Sequence, residues 1–225
     1  TQDNGLPQAC IDQALRVRPH EGQVIFEAAN QAELDGGKSR AMQLRQQCFA
    51  ECPSERGRVL NVLLPMVSGV DVCELLQPDV AGLRSIDGLW SRSSSKEDMK
   101  PVKEQRLAKV YEAAQHVQGT TQSNLLYEAA IIERTLGNTE NAAATITAAL
   151  GANPNNYQMR LVHIDLALAT GDTATAKKEI DWCLLRRPDS QKLQGRIQRL
   201  KQLRIEQASR PATFDAAAEV PGARR

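Results

Sequence analysis

Two neighbouring stretches of the chain, 123–156 and 157–190, superpose in phase at one constant offset. Gly137 falls on Gly171, Ala142 on Ala176, Ile146 on Ile180, Ala149 on Cys183 and Pro154 on Pro188. A fixed period of this length constrains the fold before any other property does. Each repeat is then one small unit that has to bury its apolar face against the next. Within 123–136, Leu126, Ala129, Ala130 and Ile132 recur at helical spacing. Gly137 stops that helix, because glycine accepts the left-handed conformation that many helix ends need. Asn138 and Thr139 are the expected caps of the next helix, which runs close to Leu150 and ends before Pro154, a residue that cannot continue it. The second stretch follows the same plan. Its first helix reaches Ala169, Gly171-Asp172-Thr173 forms the turn, and its second helix reaches Arg186 before Pro188. Ala130, Ala142, Ala149, Ala167 and Ala176 fall where the two helices of a hairpin come closest.

The same period reappears at the N-terminus, where Pro19 and Pro53 stand at the offset that separates Pro154 from Pro188. Residues 22–55 form a third copy, with Ala29 in the first helix, Gly36 in the turn, and Ala41 and Cys48 in the second helix. Residues 7–18 carry Ile11 and Ala14 ahead of Pro19, which makes a second helix whose partner is missing. The expectation is a piece of a longer repeat protein, since half a hairpin leaves an apolar face uncovered.

The middle, 56–122, falls just short of two full repeats and does not keep register. It reads as two degenerate hairpins or as an insertion between two blocks. A helix over 58–67 is bent or ended by Pro65, and a short helical turn covers 71–76. Pro78-Asp79 opens a helix with Pro in its first turn and with Val80, Leu83, Ile86 and Trp90 on one side. A polar loop at 91–96 leads to a longer helix over 100–117. Past the last repeat, 189–208 places Leu193, Ile197, Leu200 and Leu203 on one face and Lys192, Arg196, Arg199, Lys201 and Arg204 elsewhere, the pattern of a solubilising cap. The tail, 209–225, lacks periodicity and is expected to be disordered.

The inter-helix glycine, the alanine five positions later, the small residue seven further on and the closing proline resemble the tetratricopeptide repeat (TPR) family. The resemblance implies an all-α, right-handed superhelix of antiparallel helix hairpins. The present chain would add an irregular middle (56–122) between N-terminal repeats (1–55) and two further repeats (123–190), then a capping helix (191–208). It also implies a groove, lined by the first helix of each repeat, that holds a peptide or a partner helix. Transferring the groove positions picks out Gln23, Phe26, Asn30 and Glu33; Asn124, Tyr127, Ile131 and Arg134; and Gln158, Leu161, Asp165 and Leu168. Some members clamp a terminal carboxylate there. Asn30 and Arg134 fit such a clamp, but the accompanying lysines are absent, so an amphipathic helix or extended peptide fits better.

Other functions find little support. The formal net charge of +1 provides no field that selects nucleic acid, and no run of about 18 apolar residues marks a membrane span. The five cysteines, at irregular spacing, form neither a disulfide framework nor a metal site. His20, His116 and His163 share no local motif with a nucleophile. Ser93-Ser94-Ser95-Lys96 fits S-x-x-K, but without the companion motifs and α/β context that chemistry needs. A hydrolase site from Asp71, Glu74, Asp79 or Asp87 has no defining spacing. The expected function is therefore a scaffold or adaptor that binds protein, with no catalysis, cofactor or metal and with the oligomeric state open. The alternative is a positioning module of a larger enzyme or membrane-anchored protein.

Overall fold

The computed structural model describes residues 5–63, 65–91 and 96–209. Their regular elements are helices: α1 (Gly5–Val17), α2 (Gly22–Leu34), α3 (Lys38–Glu51), α4 (Arg56–Leu63), α5 (Gly69–Leu76), α6 (Val80–Trp90), α7 (Lys96–Gln115), α8 (Gly119–Thr135), α9 (Thr139–Ala152), α10 (Tyr157–Thr170), α11 (Thr173–Arg186) and α12 (Gln191–Ala208). A 3-10 turn, Pro53–Glu55, sits between α3 and α4. The three expected hairpins form, α2 on α3, α8 on α9 and α10 on α11.

The turns follow from their glycines. Gly36, Gly137 and Gly171 have φ of 79°, 87° and 78°, a region that costs a residue with a Cβ roughly 1–2 kcal/mol. Ala130, Ala142, Ala149, Ala167 and Ala176 are all buried, which lets the paired helices approach closely. Asp172 caps α11, its carboxylate accepting from the Thr175 amide at 2.9 Å. Asn156 caps α10 through the Met159 amide at 3.1 Å. Asn138 does not behave as its sequence position implies. It stands at the N-cap of α9 without a side-chain capping bond. Glu140 instead brings negative charge to the first turn of that helix, where the helix dipole favours it.

In the middle, α4 ends at Leu63, ahead of Pro65. The short helix α5 is held by a reciprocal box between Ser68 and Asp71, which satisfies two otherwise free backbone donors. Pro78 is not in the first turn of α6. Asp79 is the cap, accepting from the Gly82 amide at 2.6 Å, and Pro78 precedes it. α7 starts earlier than the apolar pattern implies and carries Pro101 within it.

The middle packs into both flanks. α4 lies on α3 and α6, α5 on α3 and α7, α6 on α7, and α7 on α8. The apolar core passes along the chain as a relay. One cluster runs from Ile25 to Val102 across α2–α7. A smaller one around Val110, Ala129 and Ile132 joins α7 to α8. A third centres on Ile146 and Met159, and a fourth joins α10, α11 and α12. In the fourth, Leu193 and Leu200 of α12 are buried, while Lys192, Arg199, Lys201 and Arg204 stay exposed. The Ser93–Ser95 part of S-x-x-K and nearly all of the C-terminal tail lie outside the described residues. No described helix is long and apolar enough to cross a membrane.

Candidate functional site

The helices α6, α8, α10 and α12 form a row in which side chains join each to the next. Arg84 of α6 holds the Glu128 carboxylate of α8, its Nε at 2.9 and 3.0 Å from the two oxygens. Tyr127 and Ile131 of α8 pack against the cluster that contains Met159, Val162 and Leu166 of α10. Arg196 of α12 grips Asp165 of α10 through two bonds of 2.7 and 2.6 Å.

The row dips in two places. A cavity of about 310 Å³ opens between α6, α7 and α8, lined by Tyr127, Glu128, Ile131, Ile132, Thr135, Lys103, Arg106, Asp87 and Ser91. A second, of about 390 Å³, lies between α10 and α12 beside Asp165, Leu168, Arg196 and Arg199.

Charge at the first cavity is organised around Arg106. Its guanidinium bonds the Asp87 carboxylate of α6 and the Glu128 carboxylate of α8, the latter at 2.9 and 2.6 Å. Burial works to raise the Glu128 pKa, but hydrogen bonds from Arg84 and Arg106 outweigh it and hold the carboxyl below the usual range. Sequence reasoning missed Arg106 and Glu128. A signal was present, since Val102, Arg106, Val110 and Ala114 are spaced four apart and the other three are buried. A charge in such a stripe is either paired or destabilising, and here the partner lies on the next helix.

The positions transferred from the repeat pattern divide into four kinds. Tyr127 and Ile131 are half-buried and line the first cavity. Gln23, Asn124, Arg134 and Gln158 are exposed. Phe26, Leu161 and Leu168 are core residues, with 6%, 1% and 8% of their surface exposed. Phe26 is corrected from a groove contact to a packing residue: its ring lies under the Arg58 guanidinium at 4.1 Å and inside the first core cluster. Asn30 donates to Glu27 at 3.4 Å, Glu33 pairs with the buried Arg45, and Asp165 is held by Arg196.

The candidates for chemistry are dispersed. Asp71 completes the α5 cap, Asp79 caps α6 and lies 3.4 Å from Arg56, Glu74 is exposed, and of this set Asp87 alone lines the first cavity. Cys48, Cys52, Cys73 and Cys183 are buried free thiols and Cys10 is exposed. Burial pushes Cys48 up to about 12 and Cys73 up to about 11, so neither supplies thiolate at neutral pH. No cluster of three His, Cys, Asp or Glu residues suited to a metal occurs among the described residues.

His20 is exposed and pairs with Glu51 at 2.9 Å, and His116 is exposed past the end of α7. His163 differs. Its Nδ1 is buried without a hydrogen-bond partner, 3.6 Å from Glu179. Burial lowers its pKa, opposed by Glu179 and assisted by Arg160. The unfolded chain takes up a proton at His163 near pH 6.5, whereas the fold takes it up only at lower pH. The stability from neutral His163 is therefore complete above about pH 6.5 and is lost as pH falls through the folded value. His163→Gln is expected to flatten the fall in melting temperature between about pH 7 and 5. An unchanged slope would mean that His163 titrates as an exposed group.

No family model matches the chain, and no curated protein matches it. Solved structures similar to it include the APC/C hetero-tetramer Cut9–Hcn1, at 13% identity over 87% of this chain with a TM-score of 0.44. The chain spans 38% of the length of that match. A thermophilic TPR protein of Thermus thermophilus is similar at 18% identity, over 84% of this chain and 98% of that one, with a TM-score of 0.41. YrrB, a TPR protein with an unusual peptide-binding site, is similar at 10% identity, over 88% of this chain and 94% of that one, with a TM-score of 0.41. Hairpins that recur in register, reverse at left-handed glycines and stack through a relay of apolar clusters make this chain a tetratricopeptide-like α-solenoid.

Proposed function

We propose that the chain is a non-catalytic scaffold that holds a peptide or a helix of a partner protein along the face formed by α6, α8, α10 and α12. The observation that carries this reading is the cavity beneath Tyr127 and Ile131, where an aromatic and an aliphatic side chain stay half-open on a face already fixed by cross-helix ion pairs. A preformed face loses little ordering entropy on binding, and apolar anchors ringed by polar groups are how a groove takes an amphipathic segment. Asn124, Arg134 and Gln158 supply the polar rim. Asn30 and Glu33 extend the polar positions onto α2, and Asp165, tied to Arg196, shapes the face. Asp71, Asp79, Asp87 and His20 are engaged in caps and ion pairs, which supports a role without catalysis.

The test is capture of partners from an extract of the source cells, followed by affinity measurement on the dominant one. Tyr127→Ala with Arg134→Ala is expected to weaken that partner by roughly tenfold or more, as truncation of interface Tyr and Arg anchors does, with the helical circular dichroism retained. Lys177→Ala, on α11, serves as the control. A partner bound equally by all three proteins would remove the face from consideration.

A further inference from the structure

We infer that the occupant of the α6–α7–α8 cavity is a peptide segment of a partner protein that presents a large apolar side chain beside an Asp or Glu. This inference rests on the proposal that the face binds a peptide, and it assigns the chemistry of that peptide.

The argument comes from which polar groups at the cavity are already committed. Both Asp87 oxygens are engaged, one accepting from Arg106 and the other from Ser91 Oγ at 2.9 Å. Both Glu128 oxygens accept from Arg84, and one of them also accepts from Arg106. The Thr135 hydroxyl donates to the Ile132 carbonyl at 2.8 Å. The two arginines and two carboxylates of this set cancel in charge.

Two groups at the cavity remain uncommitted. The Lys103 ammonium makes no ion pair or hydrogen bond among the described residues, and neither does the Tyr127 hydroxyl. Arg134 follows Tyr127 and Ile131 along the same side of α8, at positions 127, 131 and 134, and it too has no carboxylate partner among the described residues. The uncommitted charges at the cavity and along this stripe are therefore cationic, and they stand beside an apolar wall of Tyr127, Ile131 and Ile132. A carboxylate placed here meets an unpaired cation at short range, in a recess that solvent screens less than open surface. A basic side chain placed here meets like charge and finds both neighbouring carboxylates taken, so the site also selects against basic segments. At about 310 Å³ the cavity is at the small end of ligand clefts. It takes an anchoring side chain of a segment, and the carboxylate lies on the rim toward Lys103.

This arrangement differs from capture of a chain terminus. Lys103 projects from α7, which is not one of the row's helices, and nothing in the cavity requires a free α-carboxylate. An internal Asp or Glu satisfies it.

A random peptide library displayed on phage tests the inference directly, with the whole chain as bait. Peptides selected by the wild-type chain are expected to be enriched in Asp or Glu within a few positions of Leu, Met or Phe. The Lys103→Glu variant is expected to select Lys or Arg at the same offset instead. Synthetic copies of the selected peptides should lose roughly tenfold in affinity with Lys103→Glu and regain it when their own acidic residue is reversed. Peptides that need Tyr127 and Ile131 but show no acidic enrichment, or whose preference is indifferent to Lys103, would overturn the charge assignment and leave the groove in place. Selected peptides that bind equally to a Tyr127→Ala, Ile131→Ala chain, or no selected peptides at all, would overturn the groove and this assignment together.

Discussion

Replacing Arg106 by methionine is expected to cost about 3 kcal/mol of stability, the usual loss when one partner of a buried ion pair is removed. Arg106, Asp87 and Glu128 keep only 17%, 14% and 13% of their side-chain surface exposed, so water does little to compensate the carboxylate that is left behind. Glu128 retains Arg84. Among the described residues Asp87 retains only the Ser91 hydroxyl, and most of the cost falls there. The position joins three helices, α6, α7 and α8, so the loss is expected to appear as lost amide protection on both sides of the middle segment. Urea titration followed by circular dichroism gives the magnitude. A second variant, Arg106→Met with Asp87→Asn, is expected to regain part of it, because the orphaned charge is gone. A loss below about 1 kcal/mol, the range of solvent-exposed pairs, would show that the network is a surface decoration.

Phe49→Ala is expected to cost about 3–5 kcal/mol, as truncation of a buried phenylalanine usually does. Phe49 is 1% exposed. Gly82 of α6 comes so close that a Cβ built there would stand 2.8 Å from the Phe49 ring. The Arg56 Nε donates to the Phe49 carbonyl at 2.9 Å, and its guanidinium lies 5.3 Å from the ring centroid. The ring thus ties α3 to α6, and Arg56 ties it to the start of α4. Because solenoid stability is a sum of local and nearest-neighbour contributions, the effect should be regional. Hydrogen exchange is expected to show lost protection across α2–α6, while α9–α11 retain theirs. Uniform loss along the chain would contradict a relay of separate clusters.

The repeat hairpins were legible in the sequence because local rules govern them. Gly36, Gly137 and Gly171 set the turns through their own backbone freedom, and Asp172 caps the helix that it immediately precedes. The buried alanines and the stripe of α12 follow from a helical period alone. Asn138 misleads because residue type alone does not turn the side chain toward the free amides of the next helix.

The candidate face was only half legible. Tyr127 and Ile131 were visible by position in the repeat, but so was Phe26, and nothing local distinguishes a Phe that faces an opening from one that faces α4. The difference is Arg58, which covers the Phe26 ring from another helix. Lys103, Arg106 and Glu128 were missed because the middle keeps no register, so no repeat position marks them.

The sequence by itself determined the class of fold, the hairpin boundaries to within a few positions and the apolar face of the terminal helix. Each of these depends on backbone conformation and periodicity over one or two turns. Only the tertiary structure decided how the middle helices pack into both flanks, which aromatic is core and which is open, and which charges at the cavity are committed. These depend on contacts between residues far apart in the chain. The free energy of burying or pairing a group is set by the neighbours that the fold brings to it.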